Sequence, residues 1–271
     1  MQTFSKCKRA YYYNKICGLN RTQKSPALQL GTFTSDLLDT IHIKEGADAL
    51  HSTQQRLLDK DMKPSSNYLY AGKLKALAML YAYDKSNKLY GKTQVEWNQN
   101  INNVNVKGYA DLLTKQTVYE FKYSAFPDSY SIFSTFDQVA LYCLALQRDC
   151  AILRCFNKSK GPRPFKSETT DAYYSRCKKY FKETEPSRYI SNLPFYSEDL
   201  SESRLYDVTN RISTISSHLL RSIAHFKKYE NIGIFYQERQ SCFNQFRCDY
   251  YDICESNGRI SPYLYTTEKK V

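Results

Sequence analysis

The sequence predicts an α/β fold: a small mixed β-sheet flanked by helices, with a helical N-terminal region and a cysteine-bearing C-terminal tail. Three observations carry the prediction. Apolar residues recur at helical spacing through about residue 90. From Gly91 the pattern changes to short β-prone runs separated by turn residues. A strand, a long helix and another strand then follow, an order that allows a parallel crossover.

Ser5 to Tyr13 reads as a helix start, with Ser5 as its cap. Ser25-Pro26 opens a second helix over Ala27 to His42, where Leu28, Phe33, Leu37 and Leu38 sit near helical spacing. Asp48 to Lys60 and Tyr68 to Tyr83 are further helices, divided by Met62-Lys63-Pro64-Ser65-Ser66. Thr93 to Trp97 favours a strand, Asn98 to Asn103 a polar turn, and Val104 to Leu113 and Val118 to Lys122 two more strands of an antiparallel meander. Phe133 to Gln147 returns to helix and Ala151 to Phe156 to strand. Lys158 to Lys166 is a loop, Asp171 to Lys182 a helix and Tyr189 to Phe195 a strand. Leu200 to Tyr229 predicts one long helix, with Val208, Ile212, Ile215, Leu219 and Ile223 on one face. The tail from Ser241 has little periodicity. One domain is expected, with a helical region over 1–90, a core over 91–157, and a helical region and tail over 158–271.

The composition narrows the partner. Thirty-nine basic residues against twenty-seven acidic ones leave a formal charge of +12, which favours a polyanion. Twenty-five Tyr and fourteen Phe among those cations suit bases stacked from a single strand, although most aromatics are expected in the core. Met1 to Lys8 is polar with no apolar run behind it, and the apolar run Val139 to Leu146 is too short to cross a bilayer. These features predict a soluble intracellular protein, cytoplasmic in a microbial host or nucleoid-associated, with no membrane partner. Nine cysteines, an odd number, then argue against a disulfide framework.

The chemistry concentrates in the middle of the chain. Gly108-Tyr109-Ala110-Asp111 is followed after eight residues by Glu120-Phe121-Lys122. On adjacent strands these side chains would bring two carboxylates and an amine together, and buried charge needs a partner or a metal. The ordinary alternative is a surface ion-pair cluster of little consequence for stability. Gln138 and Tyr142 lie four apart on the next helix and so share a face.

Gly-x-x-Asp, Glu-x-Lys and Gln-x-x-x-Tyr in this order resemble the PD-(D/E)XK nuclease superfamily, in its RecB-like branch. That branch includes the CRISPR-adaptation nucleases, AddB nuclease domains and phage exonucleases. Lys6 to Tyr12 looks like the branch's opening helix, and Gly31 falls where it has a glycine before a metal-binding histidine. This chain departs there: Ser35 stands four residues after Gly31, and the nearest histidine, His42, is seven positions further on.

The resemblance implies a restriction-endonuclease-like core and a metal-dependent DNA nuclease. Asp111, Glu120 and the Phe121 carbonyl would hold Mg²⁺ or Mn²⁺, and Lys122 would orient the attacking water. Glu96, on the preceding strand, is a candidate for a second ion or a general base, or simply an exposed strand carboxylate. Gln138 and Tyr142 would contact phosphate or base. The expected reaction is exonucleolytic cleavage of single-stranded DNA ends in recombination, repair or phage replication. Polarity and oligomeric state are not legible.

Cys242-x5-Cys248-x5-Cys254 is regular, and with Cys7 would supply four thiolates for a [4Fe–4S] cluster, with zinc the second choice. Such a site would tie the two ends of the chain together. Lys6, Lys8 and Arg9, and Lys158, Lys160, Arg163 and Lys166, form basic clusters suited to guiding a strand. Two other readings stay open: a nucleic-acid-binding protein that keeps the fold without turnover, and a redox or metal-binding protein whose cysteines are the function.

Overall fold

The structure, a computed structural model, describes residues 7–22, 25–42, 46–58, 62–86, 88–101, 104–126, 134–196, 202–229, 235, 250–256 and 265–267. Its helices are α1 (Lys8–Tyr11, continued by a π-helical turn over Tyr12–Ile16), α2 (Pro26–His42), α3 (Gly46–Leu58), α4 (Tyr68–Ser86), α5 (Ser134–Leu146), α6 (Thr170–Glu183), α7 (Glu202–Tyr229) and α8 (Tyr251–Glu255). Its strands are β1 (Leu19–Arg21), β2 (Lys92–Ile101), β3 (Val104–Leu113), β4 (Thr117–Ser124), β5 (Cys150–Asn157), β6 (Ile190–Tyr196) and β7 (Tyr265–Thr267). Two compact units emerge, one of Met1–Lys24, Asn100–Val104 and Tyr206–Val271, the other of Ser25–Gln99 and Asn105–Leu205. The predicted core at 91–157 falls mainly in the second.

That second unit is built on a sheet of order β2-β3-β4-β5-β6. β3 and β4 are antiparallel, β4 and β5 parallel, β5 and β6 antiparallel. The parallel pair needs a crossover, and α5 supplies it. The predicted turn at Asn98–Asn103 is corrected: β2 continues to Ile101. Its side chains alternate between exposed and buried positions, so polar residues there line the solvent face of a strand.

One face of the sheet carries a helical layer. α2 starts at Pro26 because proline fits a first turn, and Ser25 caps it, its Oγ accepting from the Leu28 amide at 3.3 Å. Leu30, Thr34, Leu37, Leu38 and Ile41 then form its buried stripe. α4 is buried nearly all round, including Leu74, Leu77, Met79 and Leu80, and so is the spine on which α2, α3 and α6 pack. α6 begins at Thr169, whose hydroxyl accepts from the Ala172 amide. Phe121 and Tyr123 of β4 pack into this layer, so by alternation Glu120 and Lys122 belong to the opposite face, where α5 lies.

The first unit joins the two ends of the chain. β1 pairs antiparallel with β7 through Leu19↔Thr267, Asn20↔Thr266 and Arg21↔Tyr265. The Arg9 Nε–H donates to the Phe235 carbonyl at 2.6 Å, Asn14 donates to the Tyr250 hydroxyl at 2.7 Å, and that hydroxyl donates to the Leu19 carbonyl at 2.9 Å. Cys7, Ala10, Tyr13, Leu19, Tyr250 and Ile253 form one apolar core, against which Cys17 and Cys254 pack. Val208 and Ile212 of α7 are buried, and Ile215, Leu219 and Ile223 half-buried, on the face their spacing predicts.

Candidate active site

The β3–β4 ladder pairs Leu113 with Val118 and Leu112 with Tyr119, which sets Asp111 opposite Glu120. Beyond that point Asp111 takes over from the main chain: its Oδ2 accepts the Phe121 amide at 2.7 Å. Lys122, two residues after Glu120 and on the same face, pairs with Glu120 Oε1. From α5, the Gln138 Nε2 donates to Glu120 Oε1 at 3.2 Å and to the Tyr142 hydroxyl at 2.5 Å. The Tyr142 hydroxyl lies 2.8 Å from Glu120 Oε2 and 2.9 Å from the Tyr109 carbonyl. Two strands and one helix thus bring Asp111, Glu120, Lys122, Gln138 and Tyr142 into one network.

The glycine of Gly-x-x-Asp has a packing reason. A Cβ on Gly108 would lie 2.7 Å from the Trp97 ring, so only glycine lets that ring lie on β3. Trp97 in turn meets Tyr142 edge-on at 5.9 Å, which fixes the phenol beside Glu120.

Electrostatically the site is overloaded with negative charge. Burial, and next the charge of Glu120, push the Asp111 carboxyl up to about 7, against the opposing effects of the Phe121 amide and Lys122. Glu120 is 5 % exposed, so its charge is poorly screened. Burial and then the Glu120 charge hold the Tyr142 phenol well above its ordinary range, which keeps it a donor.

The model of the PD-(D/E)XK nuclease superfamily matches residues 1–255. The chain belongs to that superfamily. No curated protein and no solved structure matches it significantly. PD-(D/E)XK proteins are nucleases that typically use Mg²⁺ or Mn²⁺, and the donor set of this member fits such an ion. Two facing carboxylates repel one another across a poorly hydrated gap, and a hard cation between them removes that repulsion. The Phe121 N–H faces Asp111, and in an extended strand the C=O of the same residue faces the same neighbour, so a main-chain oxygen is available beside them. Among the described residues no group of three or more His, Cys, Asp or Glu is placed to hold a metal ion.

Other expected residues of this PD-(D/E)XK chain fall elsewhere. Glu96 makes an exposed ion pair with Lys107 at 3.6 Å, as the exposed strand carboxylate of the alternative reading would. Trp97 faces α5, and alternation turns its neighbour away from the network. His42 is committed to the helical layer. Its Nδ1 is 2.8 Å from the Leu89 carbonyl, its Nε2 is 3.3 Å from the Tyr83 hydroxyl, and its ring stacks on Phe121 at 5.3 Å. Burial lowers its pKa and keeps it neutral. Ser35 is exposed. Cys7 and Cys254 share the core of the first unit, while Cys242 and Cys248 lie outside the described residues. Among the described residues no helix is long and apolar enough to cross a membrane.

One residue escaped sequence reasoning. Asp39, on α2, accepts from the Gln94 amide at 2.9 Å, and its charge adds to the repulsion on Asp111. Burial raises the Asp39 pKa, with Asp36 acting in the same direction. It sits two helical turns past Gly31, one turn beyond Ser35. The signal available was that i, i+4 relation, but Gln94 reaches α2 from a backbone with φ of 48°, which no periodicity foretells.

Proposed function

We propose that this protein is a metal-dependent deoxyribonuclease that degrades single-stranded DNA from its ends, in recombination, repair or phage replication. The observation that carries the reading is the joining of Asp111, Glu120 and Lys122 through Gln138 and Tyr142 on one face of the sheet. A divalent cation, when bound, supplies Lewis-acid polarisation of the scissile phosphate and lowers the pKa of an attacking water. Asp111, Glu120 and the Phe121 carbonyl would hold it. Tyr142 binds Glu120 Oε2, so the second oxygen, Oε1, is the one turned to Lys122 and Gln138. Lys122, beside Glu120 Oε1, would orient the attacking water and offset charge that builds on the phosphate oxygens. Gln138, whose two amide hydrogens go to Glu120 Oε1 and the Tyr142 hydroxyl, would contact the phosphate by exchanging one of those partners for it. The net charge of +12 supports a polyanionic substrate.

The test is digestion of end-labelled single- and double-stranded DNA and of RNA with Mg²⁺ or Mn²⁺. Shortening of single-stranded DNA from an end, abolished by Lys122→Ala and by Asp111→Ala, is the expected result. Intact substrate with either ion would leave the second reading, a binding protein without turnover. Ser35 favours that one, since the branch's histidine is missing and His42 is occupied in the core.

We also propose that Cys7, Cys242, Cys248 and Cys254 hold a [4Fe–4S] cluster, or failing that zinc. Supporting it are the shared core of Cys7 and Cys254 and the β1–β7 pairing that draws the two ends together. An anaerobic preparation analysed for iron, zinc and visible absorption decides the matter: neither metal, and no colour, rejects both forms of the site.

A further inference from the structure

At the C-terminal ends of β4 and β5, under the loop that leaves β5, lies a cleft of about 670 Å³, large enough for a nucleotide. Three elements give it positive charge: α4 contributes Lys75, the end of β5 Lys158, and the loop Arg163. None of these three side chains has an ion-pair or hydrogen-bond partner among the described residues, and no described residue lining the cleft is acidic. Glu168, the acid of this loop, is taken by Arg176 through bonds of 2.8 and 2.6 Å. Lys75 is half-buried; burial lowers its pKa, and Arg163 pushes the same way. Cations that repel one another in a partly dry cleft call for an anion.

Two further features say what kind of anion. Tyr123 lines the cleft with a buried hydroxyl that has no hydrogen-bond partner among the described residues. A buried phenol needs an acceptor, and a phosphate oxygen is one. Tyr68, also on the lining, is 70 % exposed and offers a ring face of the sort on which bases stack. The loop is also shaped to lie on the lysine. Gly161 has φ of 88°, and a Cβ there would meet Phe181 at 2.8 Å and the Lys75 stem at 3.2 Å. The cleft is close to the chemistry as well. Tyr123 faces the helical layer and Lys122 the opposite side of β4, but Ala125, on the lining, is only roughly 10 Å along the chain from Lys122, so a strand leaving the cleft would reach the site around the end of β4.

We propose that this cleft binds a phosphate of a single polynucleotide strand, held by Lys75, Lys158 and Arg163 with the Tyr123 hydroxyl donating to it, while Tyr68 stacks on the adjoining base. The assignment rests on reading the protein as a polynucleotide hydrolase, and names a part of the molecule that holds the strand at the end of β4, away from the reacting bond.

Fluorescence anisotropy with a labelled single-stranded oligodeoxynucleotide in excess chelator tests it, since no divalent ion or turnover is involved. Lys158→Ala/Arg163→Ala should weaken binding about ten-fold and reduce the log–log salt slope by up to about 0.7, the contribution of one phosphate contact. Tyr68→Ala should weaken it about as much with the slope unchanged, because stacking releases no counterions. Arg163→Glu alone, at an exposed position, guards against misfolding of the double variant and should weaken binding too. Comparing oligonucleotides with a 5′-hydroxyl and a 5′-phosphate identifies the source: a loss with both marks an internal phosphate, a loss with the second alone a terminal one. An affinity and slope unchanged in the double variant for both oligonucleotides overturn the proposal. Turnover of bis(4-nitrophenyl) phosphate with Mn²⁺ by the wild-type protein is read separately. A protein that hydrolyses no diester, yet loses strand affinity in the double variant, overturns the hydrolase reading and supports the cleft.

Discussion

Tyr142 donates its hydroxyl proton to Glu120 Oε2 across 2.8 Å, from the crossover helix to the strand it returns from. The alternative acceptor, the Tyr109 carbonyl at 2.9 Å, is neutral, and a hydrogen bond to a carboxylate is the stronger of the two. The pair explains why a buried carboxylate persists on this sheet. One oxygen is satisfied by Tyr142, the other by Lys122 and Gln138.

Tyr142→Phe removes that donor, and with it the acceptor of one Gln138 amide hydrogen. The Gln138 amide keeps Glu120 Oε1, but Oε2 loses its strongest partner in a buried setting. The variant is expected to lose about 1–3 kcal/mol of stability, the cost of stranding one acceptor of a charged group. Guanidinium titration in chelator measures it. A midpoint equal to wild type would mean that Tyr142 is held by Trp97 packing and contributes no hydrogen bond of consequence.

Asp111→Asn should move stability and activity in opposite directions. The carboxylate is buried beside Glu120, and its raised pKa means that charging it at neutral pH opposes folding. Asparagine keeps an oxygen for the Phe121 amide and removes the charge, so the metal-free variant should be more stable by about 1–2 kcal/mol at neutral pH. Divalent ions should then act only on the wild type. At a hundredfold excess over its dissociation constant Mn²⁺ should add about 2.7 kcal/mol, seen as a higher melting temperature, and should leave Asp111→Asn unmoved. A variant no more stable than wild type, or one that still responds to Mn²⁺, contradicts this account of the site.

The residues of the network were legible because each rests on a short-range rule. Glu120 and Lys122 share a face by strand alternation, and Gln138 and Tyr142 by the helical repeat. What was less legible was longer in range. Glu96 could be aimed only by knowing which way Trp97 turns, and that is decided by the gap that Gly108 leaves on another strand. The end of β2 read as a turn because its asparagines and glutamines look alike in a loop and on the wet face of a strand. Asp39 depends on the left-handed backbone at Gln94, which carries β2 back to α2. α2 and α6 were legible because serine, proline and threonine at their starts mark the boundaries locally, whereas the expected Ser5 cap lies outside the described residues and α1 starts after Cys7 with no side-chain cap.

Asp39 bears on how tightly the ion is held. It carries charge toward Asp111 without belonging to the network around Glu120. Asp39→Asn, which preserves an acceptor for Gln94, should raise the Mg²⁺ concentration for half-maximal cleavage about three- to ten-fold, the scale of one charge at a partly screened distance. The rate at saturating Mg²⁺ should change little. A fall in the saturated rate with no shift in the Mg²⁺ midpoint would make Asp39 a packing residue of α2 instead.

Gly108→Ala links the motif glycine to the site through a single ring. The new methyl would stand 2.7 Å from Trp97 Cζ2, closer than side chains pack, so the indole must move. It cannot move without disturbing Tyr142, its edge-on neighbour, and through it Glu120. The expected cost is about 1–3 kcal/mol of stability, together with loss of cleavage out of proportion to the unfolded fraction. Trp97 is the one tryptophan of the chain, so its emission reports the displacement directly. A spectrum identical to wild type with activity lost would disconnect the glycine from the ring, whereas a shifted spectrum with activity intact would disconnect the ring from Glu120.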